Sequence, residues 1–148
     1  MSNSNFCFKQ FTINQESCAM KVGTDSVMLG AWANVPGENV DKINILDIGT
    51  GTGILSLMMA QRYENANIVA IDCDKDAIKQ AKENFDNSQF ADRITTSHCL
   101  IQDFQSIHLY DAIICNPPYF VNSLKCKDSS RTVARHTSTL TFAELMSN

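Results

Sequence analysis

The chain after residue 42 consists of short apolar runs separated by stretches with helical spacing. Mostly apolar runs of four to seven residues are typical of parallel strands that are covered on both faces. Such runs predict four strands: Ile43–Ile48, Asn67–Asp72, a weaker Arg93–Cys99, and Tyr110–Cys115. Pro117 and Pro118 stop the last of them.

Two helices are predicted between the first three strands. Ile54–Arg62 has helical character, and Asp74 is a suitable N-cap for a second helix that ends near Asp86. In the second helix, apolar side chains share one face at spacings of three and four: Ile78, Ala81 and Phe85. The order of elements predicts βαβ units, and therefore an α/β fold with a doubly wound, mostly parallel sheet.

Residues 1–42 are apolar but have no clean period. We expect them to form an N-terminal extension that packs on one domain made of residues 43–148. The extension is predicted to contain a helix over Ser26–Ala33. Pro36 and Gly37 mark the turn that precedes the first strand of the sheet.

Composition narrows the class of protein. A formal net charge of −4 argues against non-specific coating of nucleic acid, because that binding depends on many Lys and Arg side chains. The six cysteines contain no Cys-x-x-Cys pair, so no metal site is predicted. No apolar run approaches the roughly 20 residues of a membrane helix, and the polar N-terminus lacks a secretory signal. We therefore expect a cytoplasmic protein without a membrane partner.

A glycine-rich turn follows the first strand and leads into a helix. It contains Asp47, Gly49, Gly51 and Gly53, and its glycines let the backbone approach a ligand closely. A dinucleotide fingerprint would need glycine where Ile54 stands, and Asp47 would repel a pyrophosphate. S-adenosylmethionine has no phosphate and carries ammonium and sulfonium charges, so the acidic strand end favours it.

Asp72 ends the second strand, where a carboxylate can accept hydrogen bonds from both hydroxyls of a ribose. With the glycine turn, it predicts S-adenosylmethionine as cofactor and S-adenosylhomocysteine as product. The alternative is a tight turn that binds no ligand.

A loop rich in hydrogen-bond acceptors, Asn116-Pro117-Pro118-Tyr119, follows the fourth strand. Proline has no N–H, so the loop offers the Asn116 side-chain oxygen and backbone carbonyls. These atoms suit an amino or amide nitrogen with two N–H donors, and they would turn its lone pair toward a methyl group. Tyr119 offers a ring on which a base can stack. The alternative is a rigid turn that ends a strand.

These motifs together resemble the amino-group methyltransferases with a Rossmann-like fold. Four further segments are similar to the family of tRNA (adenine-N6)-methyltransferases that modify valine tRNA beside the anticodon: Phe6–Phe11, Met20–Ser26, Leu29–Ala33 and Ala134–His136. The resemblance spans nearly the whole chain and implies methyl transfer to adenine N6 in tRNA. It also implies that Lys21, Thr24 and Asp25 close over the methionine end of the cofactor. A surface ion pair between Lys21 and Asp25 is the alternative.

The chain departs from the family in two ways. Leu100 stands where relatives carry Asp or Ser against the cofactor adenine, so Asp103 or a backbone amide is expected to make that contact. Relatives also continue for several elements beyond residue 148, so we expect a C-terminally incomplete domain. The fourth strand would then be an exposed apolar edge that favours a homodimer.

An excess of positive charge lies near the end of the chain. The predicted RNA-binding residues are Lys125, Lys127, Arg131, Arg135 and His136. A basic loop beside an acidic domain suits phosphate contacts around one extruded base. A solvated surface loop is the alternative.

Three other functions remain open from the sequence. A protein glutamine N5-methyltransferase would use the same acceptor loop for an amide nitrogen. A dimerising remnant without activity, and methylation of adenine in DNA, are the others.

Overall fold

The computed structural model describes residues 4–36, 41–106 and 108–117 of the chain. Its elements in chain order are β1 (Asn5–Cys7), β2 (Thr12–Asn14), α1 (Thr24–Trp32), β3 (Ile43–Ile48), α2 (Ile54–Arg62), β4 (Ala66–Asp72), α3 (Lys75–Asp86), β5 (Ile94–His98) and β6 (Ala112–Cys115). Single 3₁₀ turns span Ala91–Arg93 and Ile101–Asp103.

Four strands form a parallel sheet in the order β5-β4-β3-β6. This arrangement confirms the predicted α/β fold with a parallel sheet. Because β3 lies between β4 and β6, the direction of strand addition reverses beside it. Ligands of open parallel sheets bind outside the carboxyl ends of the strands at such a point.

Alternate side chains of β3 enter two different apolar clusters, as the two-residue period of a strand requires. Ile43 and Ile45 pack in the larger cluster, together with side chains of α2 and α3. Leu46 and Ile48 pack on the opposite face with Ile71 of β4. Coverage on both faces explains why the sequence of β3 is almost continuously apolar.

The two predicted helices are present. Helix α2 has the predicted bounds, and Asp74 caps α3 by accepting hydrogen bonds from the backbone N–H groups of Asp76 and Ala77 at 2.8 and 3.4 Å. On α3, Ala81 and Phe85 are buried, but Ile78 is only half-buried. The buried face also includes Gln80 and Asn84, whose amides hold the N-terminal segment.

The N-terminal extension contains an antiparallel hairpin, β1–β2, that the sequence pattern did not predict. Each strand is only three residues long and β1 is exposed throughout, so neither shows an alternating pattern. Phe8 stacks on Phe11 at 4.7 Å between ring centroids, and Phe11 meets Phe90 at 6.4 Å, which fastens the hairpin to the domain. Helix α1 follows and packs on α2, beginning at Thr24, before the predicted Ser26.

Strand β6 pairs with β3 and, within the described residues, with no other strand. It begins at Ala112, after the predicted Tyr110. The side chain of Ile113 is 60% exposed, and Trp32 of the neighbouring α1 is 80% exposed. Among the described helices, none has both the length and the apolar character needed to span a membrane.

Candidate functional site

A cavity of about 290 Å³ opens at the carboxyl edge of the sheet. Residues before α1, the glycine turn, and the ends of β4, β5 and β6 all contribute to its wall. Of the predicted site residues, the wall contains Lys21, Asp25, Gly49, Gly51, Asp72, Leu100, Asn116 and Pro117. The structure therefore brings six of the ten predicted cofactor residues and the start of the predicted catalytic loop into one cavity.

The glycine turn has a conformation that disfavours other residues. The backbone φ angles of Gly49, Gly51 and Gly53 are 71°, 55° and 84°. A Cβ atom built on Gly49 would meet nothing within 4 Å, and one built on Gly51 would lie 4.0 Å from the nearest atom, a backbone oxygen of Gly49. The first two glycines therefore border open space, whereas Gly53 packs on α3.

Asp72 holds the turn from the neighbouring strand. Its carboxylate accepts hydrogen bonds from the backbone N–H groups of Gly51 and Asp74, both at 2.9 Å. Burial raises the pKa of Asp72, although these two hydrogen bonds oppose that effect. Each carboxylate oxygen keeps a further lone pair, so Asp72 can accept two more hydrogen bonds on the cavity side.

Asp47, in contrast, does not line the cavity. It has the same parity along β3 as Ile43 and Ile45, so its carboxylate points to the α2 side of the sheet. There one oxygen, Oδ2, accepts hydrogen bonds from Thr50 and Ser56, both at 2.7 Å, and the other has no partner in the described part of the chain. Complete burial raises the pKa of Asp47 to about 6.

Asn116 lies at the end of β6 and reaches across to the first turn of α1. Its side-chain nitrogen donates to Ser26 Oγ at 2.9 Å and lies 3.5 Å from Asp25 Oδ2. Asp25 was expected to contact the cofactor, and no role was predicted for Ser26. The only feature of the sequence that pointed to a contact with Asn116 was the position of Asp25 and Ser26 near the start of a predicted helix.

Four cysteine thiols also line the cavity, a grouping that was not predicted from the sequence: Cys18, Cys73, Cys99 and Cys115. Burial raises the pKa values of Cys18 and Cys115 to about 12, with the nearby Asp72 contributing in the same direction. These two thiols are therefore protonated at neutral pH, and a protonated thiol is a poor nucleophile. Cys18 and Cys115 therefore add apolar surface to the wall and should not react with an electrophilic methyl group.

Several predicted cofactor residues lie differently from expectation. Lys21 lines the cavity, but its ammonium group donates to the backbone carbonyl of Gln15, and the described residues include no ion pair between Lys21 and Asp25. Thr24, Gly53 and Asp103 are not part of the wall.

Leu100 lines the wall where the cofactor adenine was expected, together with Cys99, Ile101 and Gln102. The backbone N–H of Asp103 donates to the carbonyl of Leu100 at 3.1 Å, so that amide is already engaged. Asp103 itself does not line this cavity, and the contact of Asp103 or of a backbone amide with the adenine stays a prediction.

Part of the predicted site falls outside the described residues: Pro118, Tyr119, Lys125, Lys127, Arg131, Arg135 and His136. In the described part, His, Cys, Asp and Glu side chains do not gather in groups of three or more that could hold a metal ion.

The sequence model of the methyltransferase small domain matches residues 32–138. The chain therefore belongs to the methyltransferase small domain family. It is 54% identical over 145 residues to the tRNA1(Val) (adenine(37)-N6)-methyltransferase of Phocaeicola vulgatus, an alignment that covers 98% of this chain and 60% of the relative. The enzyme of the same name from Bacteroides thetaiotaomicron is 51% identical over 147 residues, with 99% and 60% coverage. The chain thus spans about 60% of the length of these relatives.

Solved structures show the same fold. P. horikoshii TYW2, in complex with MeSAdo, superposes with a TM-score of 0.59 at 20% identity, covering 74% of this chain and 40% of that protein. The Trypanosoma brucei PRMT1 enzyme-prozyme complex with AdoHcy superposes with a TM-score of 0.53 at 32% identity, covering 66% of this chain and 30% of that one. These likenesses confirm the Rossmann-like methyltransferase fold.

Proposed function

We propose that this chain binds S-adenosylmethionine and transfers its methyl group to the N6 amino group of an adenine in tRNA, in the cytoplasm. One observation carries the proposal: Asp72, the open side of the glycine turn and Asn116 face the same cavity. A carboxylate that can bind a ribose, next to an oxygen that can accept a hydrogen bond from an amino group, suits methyl transfer from S-adenosylmethionine to an amine.

The residues present fit this cofactor. The space beside Gly49 and Gly51 lets a ligand lie against the backbone, and Asp72 has lone pairs available for ribose hydroxyls. Leu100 and Ile101 offer apolar surface for an aromatic base. When bound, S-adenosylmethionine supplies a methyl group on a positively charged sulfur, which keeps the C–S electron pair as the new N–C bond forms.

Asn116 performs the complementary task on the acceptor side. Its side-chain oxygen can accept one N–H of the substrate amino group, and the carbonyl of Pro117, also in the cavity wall, is a candidate for the other. Fixing both hydrogens takes the nitrogen lone pair out of conjugation with the ring and directs it at the methyl group. The methylated nitrogen then releases one proton to water, so positioning and electrostatics replace a general base.

Adenine in tRNA is the acceptor that the relatives support. The enzymes from Phocaeicola vulgatus and Bacteroides thetaiotaomicron are both named for adenine(37) of tRNA1(Val). The basic residues between Lys125 and His136 supply charge for phosphate contacts next to the catalytic loop in sequence.

The proposal can be tested with S-adenosylmethionine carrying a tritiated methyl group. We expect the chain to label tRNA, and digestion to nucleosides should yield N6-methyladenosine. Asn116→Ala should lower the rate about 100- to 1,000-fold, as removal of a preorganised polar group typically does, while calorimetry shows unchanged binding of S-adenosylhomocysteine. Asn87→Ala, which removes a similar amide outside the cavity, serves as control.

Parallel reactions with a release factor and with duplex DNA separate the alternative acceptors. Label in a glutamine side chain would replace the tRNA assignment by a protein methyltransferase. Cofactor binding without transfer to any of the three would show that the chain alone is inactive, and absence of binding would refute the cofactor assignment.

The basic residues can be tested independently of the cofactor. Replacing Arg131 and Arg135 by Ala should weaken tRNA binding and reduce its dependence on salt, because fewer counterions are released. Binding of S-adenosylhomocysteine should not change. An unaltered salt dependence would show that these arginines are solvated surface residues.

A homodimer through the β6 edge stays a prediction. The exposed side chains of Ile113 and Trp32 support it. Light scattering should give twice the 16.4 kDa mass of the chain, and Ile113→Lys should return the mass to that of a monomer.

A further inference from the structure

We propose that Ser26 is a positioning residue that fixes the direction of the Asn116 side-chain amide, with Asp25 reinforcing it. The inference rests on the proposed function, since it assigns a task to the acceptor oxygen of Asn116. Ser26 Oγ accepts from the side-chain nitrogen of Asn116 at 2.9 Å, although the two residues are 90 positions apart in the chain.

An asparagine side chain has a donor end and an acceptor end that can exchange by a half turn. Ser26 can bond with either end, because a hydroxyl both donates and accepts. Asp25 removes that ambiguity: its carboxylate lies 3.5 Å from the Asn116 nitrogen, and the reversed amide would face it with an oxygen. The pair therefore selects the rotamer whose nitrogen faces α1 and whose oxygen is left for the cavity. Within the described residues that oxygen has no hydrogen-bond partner.

Gly23 provides independent support. Its φ of −114° is accessible to any residue, so backbone freedom does not explain a glycine here. Space does explain it: a Cβ atom on Gly23 would stand 2.5 Å from Oδ1 of Asp25. Any larger residue at this position would displace the carboxylate that faces Asn116.

Helix α1 is anchored firmly enough to serve as a reference. Arg62 of α2 donates through Nη1 to the backbone carbonyls of Gly30, at 2.8 Å, and Ala33, at 2.5 Å. Gly30 itself lies against Met58, since a Cβ there would approach the sulfur to 2.5 Å. The position of Ser26 is thereby tied to α2, the helix that begins at the glycine turn.

The test uses the full chain with three serine variants. Ser26→Ala should lower kcat about 10- to 100-fold, as misplacement of a reacting group does, with unchanged affinity for S-adenosylhomocysteine and unchanged thermal unfolding. Ser26→Thr keeps the hydroxyl and should restore most of kcat. Ser88→Ala, which removes a hydrogen-bonded hydroxyl outside the cavity, should leave kcat and the affinity for S-adenosylhomocysteine unchanged.

Nuclear magnetic resonance supplies a readout that does not depend on activity. The side-chain NH₂ resonances of Asn116 should shift in Ser26→Ala and in Gly23→Ala, and their exchange with water should become faster. Unchanged resonances, or a kcat for Ser26→Ala equal to that of the parent, would overturn the inference. Failure of the parent chain to methylate any acceptor would instead count against the proposed function, and the resonances would still decide whether Ser26 orients Asn116.

Discussion

Gly53 lies directly against the ring of Phe85, so that a Cβ atom built on the glycine would stand 2.4 Å from Cε1 of the ring. This contact joins the end of the glycine turn to the buried face of α3. Phe85 is only 2% exposed and is surrounded by the main core, so its ring has little room to retreat. The third glycine of the turn is therefore a packing requirement, whereas the first two border the ligand space.

Replacing Gly53 by Ala should destabilise the fold by about 2–4 kcal/mol, because overpacking adds to the strain of a positive φ. Gly49→Ala is the matched control, since it has a similar φ of 71° but no atom within 4 Å of the new Cβ. It should lose only about 1 kcal/mol. Urea unfolding followed by circular dichroism measures both changes. Equal losses in the two variants would show that the Phe85 ring adapts.

The buried side chain of Asn84 holds β2 and the glycine turn to α3, so we expect it to contribute strongly to stability. Its side chain accepts from the Asn14 N–H and donates to the carbonyls of Asn14 and Thr52, each at 2.8 Å. Asn84→Ala leaves these groups without partners and should lower the free energy of unfolding by about 2–4 kcal/mol. Hydrogen exchange should show faster exchange of the Asn14 amide. Unchanged protection at that amide would mean that β2 does not depend on this side chain.

The raised pKa of the buried Asp47 carboxyl should make the stability of the fold depend on pH. Its pKa of about 6 in the folded chain exceeds the ordinary value of 3.8, so the folded chain holds this proton more tightly than the unfolded chain. The contribution of Asp47 to stability therefore falls as pH rises from about 4 to about 6, by about 3 kcal/mol. Asp47→Asn should remove this dependence, and its stability relative to the parent should improve across that range. Parallel pH profiles for parent and variant would refute the burial argument.

Asp72 should control affinity for the nucleoside. In Asp72→Asn a single oxygen must replace two that already hold the N–H groups of Gly51 and Asp74, so fewer acceptors remain for a ribose. We expect the Kd for S-adenosylhomocysteine to rise about 10- to 100-fold, or roughly 1.4–3 kcal/mol. Asp86→Asn, on the exposed side of α3, is the control and should bind normally. Equal affinities in the two variants would remove Asp72 from the ribose site.

The sequence predicted the parallel sheet because β3 and β4 are apolar on both faces, which is typical of parallel strands covered on both sides. It predicted α3 because Asp74 gives a clear start. The β1–β2 hairpin could not be predicted in this way, since three-residue exposed strands leave no periodic trace.

Within the site, sequence placed Asp72 and Asn116 at strand ends, and the structure puts both in the cavity wall. The sequence did not predict that the Asp47 side chain points away from the cavity. The motif gives its position on β3, but not which face of the sheet is covered by α2. The contact between Ser26 and Asn116 was equally hidden, since it depends on how α1 packs across the sheet. The motifs predicted which edge of the sheet would carry the site, and packing showed which of its side chains face the cavity.

The strand order also determines when each part of the site can form during synthesis. The contacts that hold the glycine turn to β4 and α3 involve only residues up to Phe85, whereas Asn116 is brought in by β6, whose Ala112 pairs with Ile45. We therefore expect that a nascent chain can complete the proposed nucleoside-binding half before the strand that precedes Asn116 emerges from the ribosome. On the proposed function, donor binding and acceptor binding would then arise at different moments, and a chain interrupted between them should have the first without the second.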